Sequence, residues 1–171
     1  MKVLNQRAPR IPVPDDLRTP DGTLDPYAAY QPEISAGRYA LVNAAAGSGA
    51  LDAVTTELVR LRNAHLQGCV VCSNLRYASA RRAGLDEAGV AQVWNYEAGT
   101  LPERQKMALR LADAFVIGMG QVSSDLSLQA RRYLSEDEIT EIGIAMFRFS
   151  LNKVRVAMHT DAEEFSIKHV D

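Results

Sequence analysis
Gly68 interrupts a helical pattern that resumes at once, and this drives the stretch Glu57 to Leu85, ELVRLRNAHLQGCVVCSNLRYASARRAGL, toward two helices folded back on each other. At 100° per residue, Val54, Leu58, Leu61 and His65 share one face of the helix before the glycine, with Glu57 at its margin. The next helix is expected to run to Gly84, with Cys69, Cys72, Leu75, Arg76, Ser79 and Ala83 on one side and Arg76 one turn beyond Cys72. Packed as an antiparallel hairpin through Gln67-Gly68, the two faces would bring Glu57, His65 and Arg76 within reach of both thiols. The chain's two cysteines form a single Cys-Val-Val-Cys motif at the start of that second helix. A C-x-x-C pair can close a small disulfide loop, and a helix N-terminus lowers a thiol pKa from its free value of about 8.5.

These residues resemble the alkyl hydroperoxidase D-like superfamily, which includes the carboxymuconolactone decarboxylases. The resemblance rests on Glu57 twelve residues before Cys69, on the lead-in ELVRLRNAHLQGC, on C-x-x-C and on the exit ARRAGL, and it covers about residues 50 to 120. It implies a compact all-α fold assembled as trimers or larger rings. The activity it implies is that of a thiol-dependent oxidoreductase, peroxidase-like or disulfide-reducing. In the peroxidase members the two cysteines cycle between dithiol and disulfide, while a glutamate and a histidine four residues after the second cysteine relay the proton. Glu57, Cys69 and Cys72 match that pattern. Position 76 is arginine instead, and Val71 stands where a second histidine is common. Arginine cannot serve as a base, but a guanidinium stabilises a thiolate by charge. Arg76 is therefore expected either to activate the thiols or to pair with Glu57, with His65 a possible stand-in relay. Helix-dipole reasoning favours Cys69 as the attacking thiol; the family pattern implies that Cys72 attacks and Cys69 resolves. The implied reductant is a protein dithiol or lipoyl-type partner, with no cofactor beyond the Cys69–Cys72 disulfide itself.

Other chemistries compete for the same residues. His65, Cys69, Cys72 and Glu57 are of the types that hold zinc, although three ligands within eight residues strain a tetrahedron. Glu57 and His65 alone would suit a non-redox, decarboxylase-like acid–base pair. A non-catalytic oligomer that keeps only the fold is a further reading. Set against all of these, a histidine on an apolar face is more often a satisfied core residue. Arg60, Arg62, Arg81 and Arg82 read as solvated faces, and Asn152-Lys153-x-Arg155 as cations at a helix end.

With 171 residues, 47% of them hydrophobic and 23% charged, the chain has enough material for one core. A net charge of -2 gives no electrostatic footprint for nucleic acid or anionic membrane. No run of eighteen apolar residues occurs, and MKVLNQRAPRIPVP lacks a signal peptide's apolar run, so a cytoplasmic location is expected. In that compartment a lone C-x-x-C is catalytic or metal-binding more often than structural.

Six of the seven prolines fall between Pro9 and Pro32, which predicts an extended arm over 1–32 that drapes over the body or a neighbouring subunit. Residues 33–171 then form a single helical domain of about seven helices, with no period-two alternation to suggest strands. Helices are expected from Ile34 to Ala46, closed by Gly47-Ser48-Gly49, and from Glu87 to about Tyr96 behind an Asp86 cap. Thr100 with Glu103 and Ser135 with Glu138 read as capping boxes. The first precedes an amphipathic helix carrying Ala108, Leu111, Ala112, Phe115 and Met119. The second precedes a long helix to about His159, apolar on nearly all sides and so expected to be surrounded by protein.

Overall fold
The computed structural model describes residues 8–18, 23–46, 49–119, 121–162 and 165–170. The architecture is all-α. Its helices are α1 Pro26–Tyr30, α2 Pro32–Ala46, α3 Ala53–Gln67, α4 Val70–Asn74, α5 Ala78–Arg82, α6 Glu87–Ala91, α7 Glu103–Val116, α8 Ser124–Ala130, α9 Glu136–Ser150 and α10 Lys153–Ala157. A 3-10 helix, Gln92–Ala98, continues α6. Helices α3, α7 and α9 pack on one another as the central trio. Leu58, Val59, Leu61, Met107, Leu109, Leu111, Ile142 and Met146 fill the space between them. No described helix is long and apolar enough to cross a membrane.

The two capping signatures part company. Around Ser135 the box closes in both directions: Glu138 N–H donates to Ser135 Oγ at 3.2 Å and Ser135 N–H to Glu138 Oε2 at 2.7 Å. At Thr100 it does not form. The helix begins two residues later, behind Pro102, and the Thr100 N–H donates to Gln92 Oε1 at 2.6 Å instead. Gly68 does what its position requires, ending α3 at φ 65°, a left-handed conformation that an L side chain rarely adopts.

Two expectations need correcting. The helix after the cysteines is not continuous: it breaks at Leu75–Tyr77, strand β1, which pairs in parallel with β2, Lys168–Val170, near the far end of the chain. The helix foreseen to reach His159 stops at Ser150 and restarts at Lys153. It is also not wrapped on all sides, since Ile144 and Phe147 face outward, Phe147 64% exposed.

Residues 1–7 and 19–22 of the proline-rich arm, the Gly47-Ser48 stop, and Gly120 lie outside the described residues. What is described of the arm lies on the body of its own chain. Arg10 N–H donates to Met158 O (2.9 Å), Leu24 N–H to Thr160 O (2.8 Å) and the Tyr27 hydroxyl to Leu151 O (2.7 Å). Buried Asp25 pairs with Arg38 (2.9 Å) and Arg155 (3.0 Å). The arm is not wholly extended, because Pro26 at the first position and the Asp25 cap start the single turn of α1.

Candidate active site
Cys69 and Cys72 are joined as a disulfide, Cα atoms 5.3 Å apart. Cys69 is the N-cap of α4, its Sγ accepting the Cys72 N–H at 3.2 Å, and it is 4% exposed. Although helix-dipole reasoning favours Cys69 as the attacking thiol, Cys72 is the more open of the two. Its Sγ accepts from Asn152 Nδ2 at 3.5 Å. Both cysteines line a cavity of about 70 Å3, whose walls include Arg60, Asn63, Gln67, Tyr77, Phe149 and Asn152.

Beside the disulfide lies a buried ion pair. Glu57, 1% exposed, takes Arg60 Nε at 2.7 Å and Nη2 at 2.8 Å, and Arg60 is itself 4% exposed. Two further guanidinium hydrogens go to backbone: Nη1 to Cys72 O (2.6 Å) and Nη2 to Leu75 O (2.7 Å). The Tyr77 N–H donates to Glu57 Oε1 at 3.2 Å, and the guanidinium lies 4.8 Å from the Tyr77 ring centroid. These bonds explain the break in the motif helix. In a continuous helix the Cys72 and Leu75 carbonyls would accept from the amides four residues on, and Tyr77 N–H would donate to Ser73 O. Here Arg60 takes the two carbonyls, Glu57 takes the amide, and Arg76 Nη1 takes Ser73 O at 2.8 Å. The chain unwinds at β1 without leaving those groups unpaired.

The break redirects Arg76. Its guanidinium holds Glu87 at 2.9 and 3.0 Å, shares the Leu75 carbonyl with Arg60 at 2.8 Å, and does not line the cavity. The Arg76 hydrogen bond holds the Glu87 carboxyl below its ordinary range, against an opposing contribution from burial. Arg76 therefore neither pairs with Glu57 nor borders the thiols. His65 also departs from its expected place: it is exposed, its ring centroid 4.4 Å from that of Trp94 at a tilt of 44°, and outside the cavity. The reason lies in α3, which is buried from Thr55 to Ala64 against several neighbours, so no single apolar stripe sets its inward face. The zinc set and the Glu57–His65 acid–base pair are consequently not assembled, and no cluster of three or more metal-ligating side chains occurs among the described residues.

Arg60, read as solvated, is the residue that sequence reasoning missed most clearly. Its i,i+3 spacing from Glu57 was the available signal. Arg62 was misread likewise: it holds Asp113 at 2.6 and 2.9 Å, and Asp113 also accepts from the Tyr96 hydroxyl at 2.8 Å. Burial, and then the hydrogen bond to Asp113, push the Tyr96 phenol well up. Asn152 reaches Cys72 only because α9 breaks just before it, and nothing in its neighbourhood announced that.

Residues 32–114 match the carboxymuconolactone decarboxylase family. Among curated proteins, the uncharacterized protein Rv2313c of Mycobacterium tuberculosis is 39% identical over 114 residues, 66% of this chain but 40% of that one. Its counterpart MT2376 from a second strain of the same species matches equally. The chain thus spans well under half the length of these relatives. Among solved structures, ATU0492 of Agrobacterium tumefaciens, of unknown function and with the proposed designation antioxidant defence protein AhpD, superposes with a TM-score of 0.69 at 24% identity, over 82% of this chain and 97% of that one. The debrominase Bmp8 in its apo form gives 0.65 at 17%, over 77% and 72%. The match over residues 32–114, the all-α fold and the helix–glycine–C-x-x-C arrangement make the chain similar to the carboxymuconolactone decarboxylase family and, in fold, to the alkyl hydroperoxidase D-like structures.

Proposed function
We propose that the protein is a dithiol–disulfide oxidoreductase that reduces organic hydroperoxides, with Cys72 attacking and Cys69 resolving. The observation that carries this is the setting of the disulfide: two cysteines lining a small cavity, with Arg60 anchored on the Cys72 backbone and Asn152 donating to the Cys72 sulfur. In the reduced protein a fixed guanidinium and an amide donor favour the Cys72 thiolate. That thiolate attacks the terminal peroxide oxygen and the O–O bond breaks. The alkoxide takes up the proton that Cys72 released and leaves as alcohol, while Cys72 becomes a sulfenic acid. The Cys69 thiol then attacks that sulfur, forming the S–S bond and expelling water. A protein dithiol or lipoyl-type dithiol restores both thiols and is itself oxidised to a disulfide.

Glu57 acts here by holding Arg60. Its oxygens already accept three hydrogen bonds, so it is a positioning residue, and the proton passes through solvent in the cavity. The working form is a homo-oligomer, a trimer or a multiple of one, in the cytoplasm; the outward Ile34, Tyr39 and Phe147 of α2 and α9 support a covered face beside the open groove.

The test is to mix reduced protein with cumene hydroperoxide and follow free thiols, with Cys72→Ser and Cys69→Ser alongside. Wild type is expected to lose two thiols per chain and form the intramolecular disulfide, Cys69→Ser to stop at the sulfenic acid, and Cys72→Ser to stay reduced. Thiols that survive excess peroxide in the wild type would sink the peroxidase reading. Exchange with a disulfide probe under the same conditions would then point to disulfide reduction instead.

A further inference from the structure
An organic substrate has no room for its body at the disulfide. The cavity there, about 70 Å3, admits little more than a reacting head group, whereas pockets that hold small molecules run from roughly 300 to 1,000 Å3. Tyr77 and Phe149 line that cavity and also border a second space, an open groove of about 450 Å3 between α2, α3, α5 and α9. They are the partition between the two. Leu51, Ala53, Ile144 and Ala145 give the groove an apolar floor. Two charged side chains reach it. Glu141 is already engaged, its Oε2 accepting the Ala50 and Leu51 N–H groups at 2.6 and 3.2 Å. Arg148 lies with its guanidinium 4.9 Å from the Phe149 ring centroid and makes no ion pair among the described residues. An apolar channel whose acid is engaged and whose arginine is available selects for an anion with a hydrocarbon body.

We propose that this groove binds an apolar organic monocarboxylate, its carboxylate on Arg148 and its carbon chain along Leu51, Ala53 and Ile144. As a substrate site it rests on the dithiol reading of Cys69 and Cys72, and it narrows the substrate to a carboxylated hydroperoxide whose peroxide group enters past Tyr77 and Phe149. As a binding site it stands apart from that reading.

The probe is sodium octanoate, with octan-1-ol as its uncharged counterpart, titrated calorimetrically into the full chain and into the Cys69→Ser/Cys72→Ser double variant. Octanoate is expected to bind both proteins at one site per chain and more tightly than octanol does. Arg148→Gln lowers octanoate affinity about tenfold and leaves octanol unchanged. Ser79→Phe, which extends a ring into the groove from an exposed position on α5, blocks both ligands. Octanoate affinity unchanged in Arg148→Gln overturns the proposal. So does a wild type that binds no octanoate, including one whose groove is covered by a second copy. Octanoate binding retained while the wild-type thiols ignore peroxide overturns the redox reading and leaves the groove assigned.

Discussion
Arg60 and Arg76 flank the same short segment, both buried and both clasped two-pronged by a glutamate, yet their surroundings are opposite. Glu57, the partner of Arg60, is 1% exposed, whereas the Glu87 side chain that holds Arg76 is 58% exposed. On the inner side the pair also binds the Cys72 and Leu75 carbonyls and the Tyr77 amide, next to the disulfide. On the outer side the pair closes a solvent-facing corner between β1 and α6. The lesson is that the position matching the family's histidine is occupied by an arginine that holds Glu87, while the cation lining the cysteine cavity comes from the helix before.

The largest effect expected from this contrast is on stability. Glu57→Ala leaves a buried guanidinium without its counter-charge and should cost about 3–5 kcal/mol, read by chemical denaturation. Glu87→Ala, at a solvent-screened pair, should cost at most about 1 kcal/mol. Similar losses at the two sites would break the comparison. Next is the effect on reactivity. Alkylation of Cys72 by iodoacetamide in the reduced, folded protein at pH 7 should fall about tenfold in Arg60→Gln and recover most of that in Arg60→Lys. Arg76→Gln should leave the rate unchanged, and a slowing there equal to that of Arg60→Gln would return the activating role to Arg76.

The smallest effect is one of pH. The Glu87 carboxyl sits below its ordinary value of 4.5 in the folded protein, chiefly through Arg76. Its contribution to stability is therefore complete above about pH 4.5 and is lost as pH falls through the lowered folded value. The stability gap between wild type and Glu87→Gln should narrow from pH 6 to pH 3, and a gap that widened would mean the Glu87–Arg76 contact is not the one titrating.

The helices of this molecule were readable because their signals are local. Asp86 caps α6, Gly68 ends α3, the Ser135–Glu138 box starts α9, and the periodicity of Leu111, Ala112 and Phe115 located α7. The site was readable only where it too is local, in the C-x-x-C loop and in the separation of Glu57 from it. What escaped depends on bonds between distant segments. A helical wheel assumes one apolar face, so it left Arg60 in solvent, hid its pairing with Glu57 inside α3, and turned the exposed His65 inward. The unwinding at Leu75–Tyr77 comes from side chains of another helix and from a strand more than ninety residues away, which no window centred on the cysteines contains. Asn152 belongs to the same class, placed by an interruption of α9 rather than by any neighbour in the chain.

The parallel pairing of Leu75–Tyr77 with Lys168–Val170 has a mechanical consequence. On the dithiol reading of Cys69 and Cys72, the cross-link opens and closes just ahead of this backbone. Pairing with Lys168–Val170 would then hold Leu75–Tyr77 extended in both forms, as a splint against rewinding into a longer helix.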